Sequence, residues 1–407
     1  MSRSVRCLNC IVPPHVLKKL LESKDRGIRE AALNSLLVTA RLRGERGVRA
    51  ATFVAPPGDG RRTVYDCRSG YFLPLAVVAR TENGEAPSDA SVNLAFDGLG
   101  TTREFFREVF DRNSIDGRGM RLDGYVHYGV RYNNAFWNGR EMVFGDGDGL
   151  LFADFTRSLD VIAHELAHGV TEFTANLEYH NEPGALNESM SDVFGSLVKQ
   201  WSLGQTAEEA DWLIGADVLT PEIEADALRS MKAPGTAYDN DLLGKDPQPD
   251  HRDRFVVLPD TEDGDWGGVH INSGIPNKAF FLAAVAVGGY AWEAPGHIWY
   301  ESLLASHERT RFQEFADTTC LKAGQLYGNV EQQAVTDAWR EVGIRVAGVW
   351  AGTGGRGPGR GRGGEPGRGT EPAENGDTLA ALTKQVAALA AQVKTLARDV
   401  KTLKGRK

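Results

Sequence analysis

The stretch Asp160-Val161-Ile162-Ala163-His164-Glu165-Leu166-Ala167-His168 constrains this chain more than any other, because it fixes a helix and a chemistry together. It contains H-E-x-x-H. On a helix, residues i and i+4 share one face, so His164 and His168 can aim two imidazoles at one metal ion. Glu165 stands beside that ion, where it can take a proton from bound water. Two imidazoles leave zinc short of ligands, since a catalytic zinc takes three protein groups and keeps one position open. The segment Asn187-Glu188-Ser189-Met190-Ser191-Asp192 supplies a third: Glu188, twenty residues after His168. Asp192, one turn further on, and Asn187 can act as acceptors that orient the histidines. H-E-x-x-H alone also arises by chance on solvated helices, but the paired N-E-x-x-S-D at this spacing argues against chance.

H-E-L-A-H followed by G-A-L-N-E-S-M-S-D resembles the thermolysin-like metallopeptidases, whose zinc site is the standard example of the His-His-Glu ligand set. Y-N-N-A-F-W-N-G (Tyr132 to Gly139) resembles the family's substrate-edge strand. A-L-R-S-M (Ala227 to Met231) resembles the segment with its substrate-binding arginine, and D-W-G-G-V-H-I-N-S-G (Asp265 to Gly274) its catalytic-histidine loop. The likeness runs over roughly residues 60 to 346. It implies an α+β fold with a β-rich N-terminal lobe and a helical C-terminal lobe, the active-site helix lying at the floor of the cleft between them, where sites commonly form.

The resemblance also assigns roles. Zinc held by His164, His168 and Glu188 would polarise a peptide carbonyl, and Glu165 would pass the water proton to the leaving amine. Tyr179 and His270 stand at the family's positions for oxyanion donors, with Asp265 orienting the His270 ring. Asn134 and the Ala135 backbone would hold the substrate chain, and Arg229 a substrate carbonyl. Phe152, Phe155, Val161, Ile214 and Leu228 would line an apolar primed-side pocket, which implies cleavage before large hydrophobic residues. Lys199, Leu213 and Ala216 stand where acids of the family's double calcium site are expected, while Asp160, Asp211 and Asp217 remain. At most one weak calcium site is expected.

At 407 residues the chain has room for several units, and 41% hydrophobic with 25% charged residues is ordinary globular composition. The longest apolar run, Ala279 to Val287, falls short of the roughly 18 residues a membrane helix needs. The N-terminus shows neither an apolar h-region nor an A-x-A site, so no secretory signal peptide is expected. The expected location is cytoplasmic, or outside the cell by a non-classical route. Cys7, Cys10, Cys67 and Cys320 are too sparse for a disulfide framework, and Cys7 and Cys10 read as free thiols rather than as half of a metal or redox site.

Residues 1–50 form a separate unit. After Pro13-Pro14, Val16, Leu17, Leu20, Leu21 and then Ile28, Ala31, Ala32, Leu36, Leu37 recur at helical spacing among Arg and Lys. A basic helical pair can be a nucleic-acid arm, but no nucleic-acid partner is expected. Cys-Ile-Val-Pro-Pro-x-x-Leu resembles instead the short propeptide of protealysin-type peptidases. The resemblance implies an inhibitor that blocks the chain's own cleft, touching it through Asn9 to Val16.

Residues 51–200 carry strands at Thr63–Asp66, Ala76–Ala79, Tyr125–Val130 and Glu141–Phe144, a helix from Ser91 to Arg112, and the zinc helices. Gly145-Asp146-Gly147-Asp148-Gly149 reads as a tight turn, too short and without the closing Glu of an EF-hand. The Asn187-Glu188-Ser189 sequon is discarded, since it lies in the metal motif. Residues 201–347 read as helix-rich, with Asn277 to Val287 and Gln313 to Tyr327 apolar at helical spacing and Glu331 to Val342 closing the unit. Residues 348–376 are Gly/Arg/Pro-rich and read as a linker, with an anion-binding tail as the alternative. In 377–407, Leu379, Leu382, Val386, Leu389, Val393, Leu396, Val400 and Leu403 make an a/d seam. A coiled-coil helix and a homo-oligomer are expected, a parallel dimer before a trimer. The function expected is a zinc metalloendopeptidase acting on protein and peptide substrates and made as an autoinhibited precursor. The alternative is an interaction protein, locked by its propeptide, that works through the coiled coil.

Overall fold

The computed structural model describes residues 9–49 and 61–346, so Cys7, the linker and the coiled-coil seam lie outside the described residues. Six strands, β1 (Asn9–Cys10), β2 (Arg62–Asp66), β3 (Val77–Thr81), β4 (Leu122–Val126), β5 (Ala135–Trp137) and β6 (Glu141–Phe144), form one mixed sheet in the order β1-β5-β6-β4-β2-β3. The β4–β2 and β4–β6 pairs are parallel; the other pairs are antiparallel. The edge strand β1 comes from the basic N-terminal unit, and its Cys10 pairs with Phe136.

That unit continues as helices α1 (Pro14–Leu20) and α2 (Arg26–Arg49). Pro14 opens α1, where its missing N–H costs nothing. Helix α3 (Ala90–Phe110) starts where the Asp89 carboxylate accepts from Ser91 and Val92 N–H, and it buries Val92, Phe96, Leu99 and Phe106 against the sheet and the helices that follow. Helices α4 (Leu159–Glu172) and α5 (Asn181–Leu203) pack along each other. Gly195 permits it: a Cβ there would sit 2.7 Å from the Asp160 carbonyl and 3.4 Å from His164 Cβ, so a side chain would push α5 off the metal-motif helix. The rest of the helical half is α6 (Asp265–Asn272), α7 (Gly274–Val287), α8 (Ala294–Leu304), α9 (Phe312–Leu326) and α10 (Asn329–Glu341).

Three details depart from expectation. The strand expected at Tyr125–Val130 runs instead from Leu122 to Val126. His127 turns out of it with φ 53°, because its ring is drawn between Asp146 (2.8 Å) and Asp89 (3.0 Å). Hydrogen bonding to Asp146 outweighs partial burial and lifts the imidazole to about 9, so the ring is cationic and ties the 145–149 turn to the start of α3. Residues 204–264 hold no α-helix, although the whole of 201–347 reads as helix-rich. They are short β-pairs and turns built on side-chain acceptors; Asp246, for example, accepts from Gly235, Ala237 and Gln248 N–H. Helix α8 has no counterpart among the expected elements. In the 145–149 turn, Asp148 accepts from Leu150, Leu151 and Phe152 N–H, which accounts for a tight turn.

Candidate active site

Helix α4 carries His164, Glu165 and His168, and α5 carries Asn187, Glu188 and Asp192; all six are buried. His168 Nδ1 lies 2.8 Å from Asn187 Oδ1, and His164 Nδ1 lies 2.8 Å from Asp192 Oδ1. Each acceptor takes the Nδ1 proton and leaves Nε2 bare. The two Nε2 atoms face each other at 3.0 Å, and the Glu188 carboxylate lies 3.6 Å from His164 Nε2 and 3.4 Å from His168 Nε2. Three acceptors thus converge with no proton between them, and Glu188 Oε2 has no hydrogen-bond partner. A cation relieves that crowding. Ligands on a tetrahedral zinc stand about 3.3 Å apart, given metal–nitrogen distances of about 2 Å, so the donor set fits the ion in number, type and spacing. Among the described residues this is the one His/Cys/Asp/Glu group with metal spacing. At the acids considered for calcium, the Lys199 ammonium lies 2.9 Å from Asp211 and 3.5 Å from Asp160.

Around the triad stand proton carriers. Burial, then the neighbouring Glu188, pushes the Glu165 carboxyl well above its usual range; a divalent charge in the triad would oppose that rise. Tyr179 donates to Glu188 Oε1 and lies 3.2 Å from His270 Nε2. Burial, reinforced by Glu188, pushes its hydroxyl well up, so it keeps its proton. The backbone at Asp265, Trp266, Gly267 and Gly268 is left-handed throughout (φ 54°, 51°, 85° and 79°). This run folds Asp265 back beneath its own helix, where it accepts from His270 N at 2.9 Å and from His270 Nδ1 at 2.5 Å. Burial disfavours the imidazolium, but Asp265 and Glu188 prevail and raise His270 to about 9. Its Nε2–H is then a donor aimed into the site.

That donor meets the chain's own N-terminal segment. His270 Nε2 lies 3.1 Å from the Cys10 carbonyl oxygen. The next carbonyl, of Ile11, accepts from Arg229 Nη1 at 3.0 Å. Ile11 N–H donates to the Ala135 carbonyl at 3.3 Å. Asn134 brackets Val12, accepting from its N–H at 2.9 Å and donating to its carbonyl at 3.3 Å. Phe152, Phe155, Val161, Ile214 and Leu228 are buried in the same apolar cluster as Ile11 and Val12. The Cys10 side chain belongs to a different cluster, with Val38, Tyr128, Tyr132 and Phe136.

Asn277 and Gln248 support the site without any local signal in the sequence, and the bonds of Arg229 to Asp192 and of Trp137 to Glu165 are likewise visible only in the fold. Asn277 on α7 donates to Asp192 Oδ2 at 2.8 Å, and Arg229 grips the same carboxylate with two N–H groups at 2.8 and 2.9 Å. Gln248 donates to the His270 carbonyl at 2.8 Å, and the Trp137 N–H holds Glu165 Oε2 at 2.9 Å. Only the fold brings them there.

Comparison with known proteins agrees with this arrangement. Residues 77–172 match the thermolysin metallopeptidase catalytic domain, and residues 175–344 match the alpha-helical domain of the same family. The chain is 45% identical to an extracellular metalloprotease of Pectobacterium carotovorum subsp. carotovorum, over 83% of this chain and 96% of the relative. It is 44% identical to protease PrtS of a Photorhabdus species, over 83% and 92%. Among solved structures it is similar to the precursor of protealysin, a metalloproteinase from Serratia proteamaculans, with a TM-score of 0.75 and 46% identity over 83% of this chain and 99% of that one.

Proposed function

The chain belongs to the thermolysin metallopeptidase family, and from that premise we propose that it is a zinc endopeptidase made as a precursor, with the stretch Cys10 to Val12 of its N-terminal unit lying in its own substrate groove. The observation that carries this reading is the convergence of His164, His168 and Glu188, three buried acceptors, beside the Glu165 carboxyl. Zinc held there would polarise the scissile carbonyl and acidify a water in its open position. Glu165 would take that water's proton and return it to the leaving amine. His270, kept cationic by Asp265, and Tyr179, kept protonated by burial, would donate to the oxygen on which negative charge develops. Arg229 and Asn134 would fix the chain on the leaving-group side. Phe152, Phe155, Val161, Ile214 and Leu228, buried in the same apolar core as Ile11, would favour cleavage before large hydrophobic residues.

A body freed of residues 1–50 should hydrolyse casein, lose that activity to a chelator and regain it with zinc. A freed, folded body that stays inert would favour the second reading, an interaction protein working through residues 377–407.

Release of the segment should respond to acid. His15 on α1 is half-buried; its Nε2 meets Tyr238 Oη at 3.0 Å and its inward Nδ1 has no hydrogen-bond partner. Burial is the main cause that lowers it to about 4 from an ordinary 6.5, with His270, Arg229 and Lys18 adding repulsion and Asp265 opposing. A depressed histidine prefers the docked, neutral state. Docking is therefore full above the free value and weakens as pH falls through the window between the two, about tenfold per pH unit. Added pepsin should cut residues 9–49 of the metal-free chain faster as pH drops from 6.5 towards 4. His15→Gln should flatten that response, and an equal response in both chains would refute the role of His15.

A further inference from the structure

The contacts of the N-terminal segment identify more than a plug. The groups assigned to the reaction divide at one peptide bond. On its carbonyl side, His270 Nε2 meets the Cys10 oxygen at 3.1 Å. On its nitrogen side, the Ile11 N–H donates to the Ala135 carbonyl at 3.3 Å, on the same short strand β5 whose Trp137 N–H anchors the Glu165 carboxylate at 2.9 Å. Beyond it, Arg229 takes the Ile11 carbonyl and Asn134 takes both polar groups of Val12. The segment also runs antiparallel to β5 as an added strand, so backbone pairing fixes its direction and register. An oxyanion donor on the carbonyl side and the strand that anchors the proton carrier on the nitrogen side is the arrangement a bond needs in order to be broken. Ile11, fully buried in the apolar core, is also a residue of the large hydrophobic kind proposed above to follow the cut.

We propose that the Cys10–Ile11 peptide bond is a built-in cleavage site, presented to the chain's own active site in the direction of a substrate. This rests on the peptidase reading above. Water adds across the bond: its oxygen joins the Cys10 carbonyl carbon, the C–N bond breaks, and Glu165 carries the water proton to the Ile11 nitrogen. The products are a carboxylate at Cys10 and an amine at Ile11, with no change of oxidation state. The nick is the chain's first cut, because the bond is in place before any encounter. It does not by itself open the groove. Residues 11–49 stay held by Arg229, Asn134 and the packing of Val16, Leu17 and Leu20 in the core, so activity on added substrates waits for a separate cut in the segment that joins the helices to the body.

The full-length chain, purified with chelator, is given zinc at two well-separated protein concentrations and followed by intact mass. A species starting at Ile11 and a peptide of residues 1–10 should appear before any cut near residue 50. The rate should be first order and the same at both concentrations, and Glu165→Gln should show no such cut. A rate that scales with concentration, or cutting near residue 50 with Cys10–Ile11 intact, overturns the proposal and leaves the peptidase reading standing. No cutting at any bond, of itself or of casein, sinks both. A second readout needs no catalysis. In the metal-free chain the Ile11 and Val12 amides should exchange far more slowly with deuterium than in a free peptide, and Ile11→Asp should abolish the protection. Free-peptide exchange of these amides in the unsubstituted chain means the segment is not seated, and the proposal falls.

Discussion

Glu165→Gln is expected to retain bound zinc and lose peptide hydrolysis by about 10²–10⁴-fold, the usual share of a positioned acid–base group. The two outcomes separate because Glu165 is not among the three converging acceptors. Its Oε2 is anchored on the Trp137 N–H at 2.9 Å, a bond that a glutamine oxygen preserves. The amide has no proton affinity to match the raised carboxyl, so it can neither take a proton from water nor return it. Glu188→Ala should behave in the opposite order. It removes one of the three ligands, leaves two bare imidazole nitrogens facing each other, and empties the site of metal before chemistry is reached. Zinc content by elemental analysis and hydrolysis of a short peptide by the body freed of residues 1–50 decide the matter. Equal metal content in the two variants refutes the division of labour between these glutamates.

How much of this could be read from residues alone depends on how local each signal is. The spacing in H-E-x-x-H is helix geometry, and the acceptors Asn187, Glu188 and Asp192 sit on a second long helix, so the triad and its supports follow from periodicity. The striped helices α3, α9 and α10 and the largely apolar α7 are legible within a few residues at their ends. Strand β1 was not. Two residues have no period to detect, and Asn9–Cys10 is a strand only because β5 offers an open edge. The excess length expected for β4 has a tertiary cause as well: alternation continues past Val126, but the ion pairs of His127 bend the backbone away. Residues 204–264 hold their shape through side-chain acceptors in turns, which leave no repeat in the sequence. His15 looks like any polar residue on a short helix, and its contact with Tyr238 joins residues 223 apart in the chain. Asn277 lies in an apolar helix whose pattern announces packing, not polar support for a site on α5.

Asp192→Ala should produce the largest loss of stability of any substitution in the site, about 3–5 kcal/mol, because it strips the partner from a buried charge. Arg229 is only 2% exposed and makes both of its charge-assisted bonds to protein carboxylate through Asp192. Burial opposes ionisation of Asp192, yet Arg229 and His164 hold its carboxyl well below the ordinary range. A depressed carboxyl contributes stability that is present above its unfolded value and is lost as pH falls below it, so the stability gap between Asp192→Ala and the unsubstituted chain should be full at neutral pH and narrow in acid. The same carboxylate orients His164 from 2.8 Å, so metal affinity should also fall, by about 10–100-fold, even though no ligand is removed. Finally, Arg229 has one N–H group on the Ile11 carbonyl, and a guanidinium without its anchor cannot keep that geometry. The substitution should therefore loosen the N-terminal segment along with the metal. Urea unfolding midpoints, zinc affinity and deuterium exchange at Ile11, measured on one preparation, test the three consequences together. Unfolding within 1 kcal/mol of the unsubstituted chain, together with unchanged zinc affinity, would show that Asp192 is not the hinge between ligand and groove. Loss of all three at once would place one carboxylate on α5 in control of the metal, the substrate-binding arginine and the seated segment.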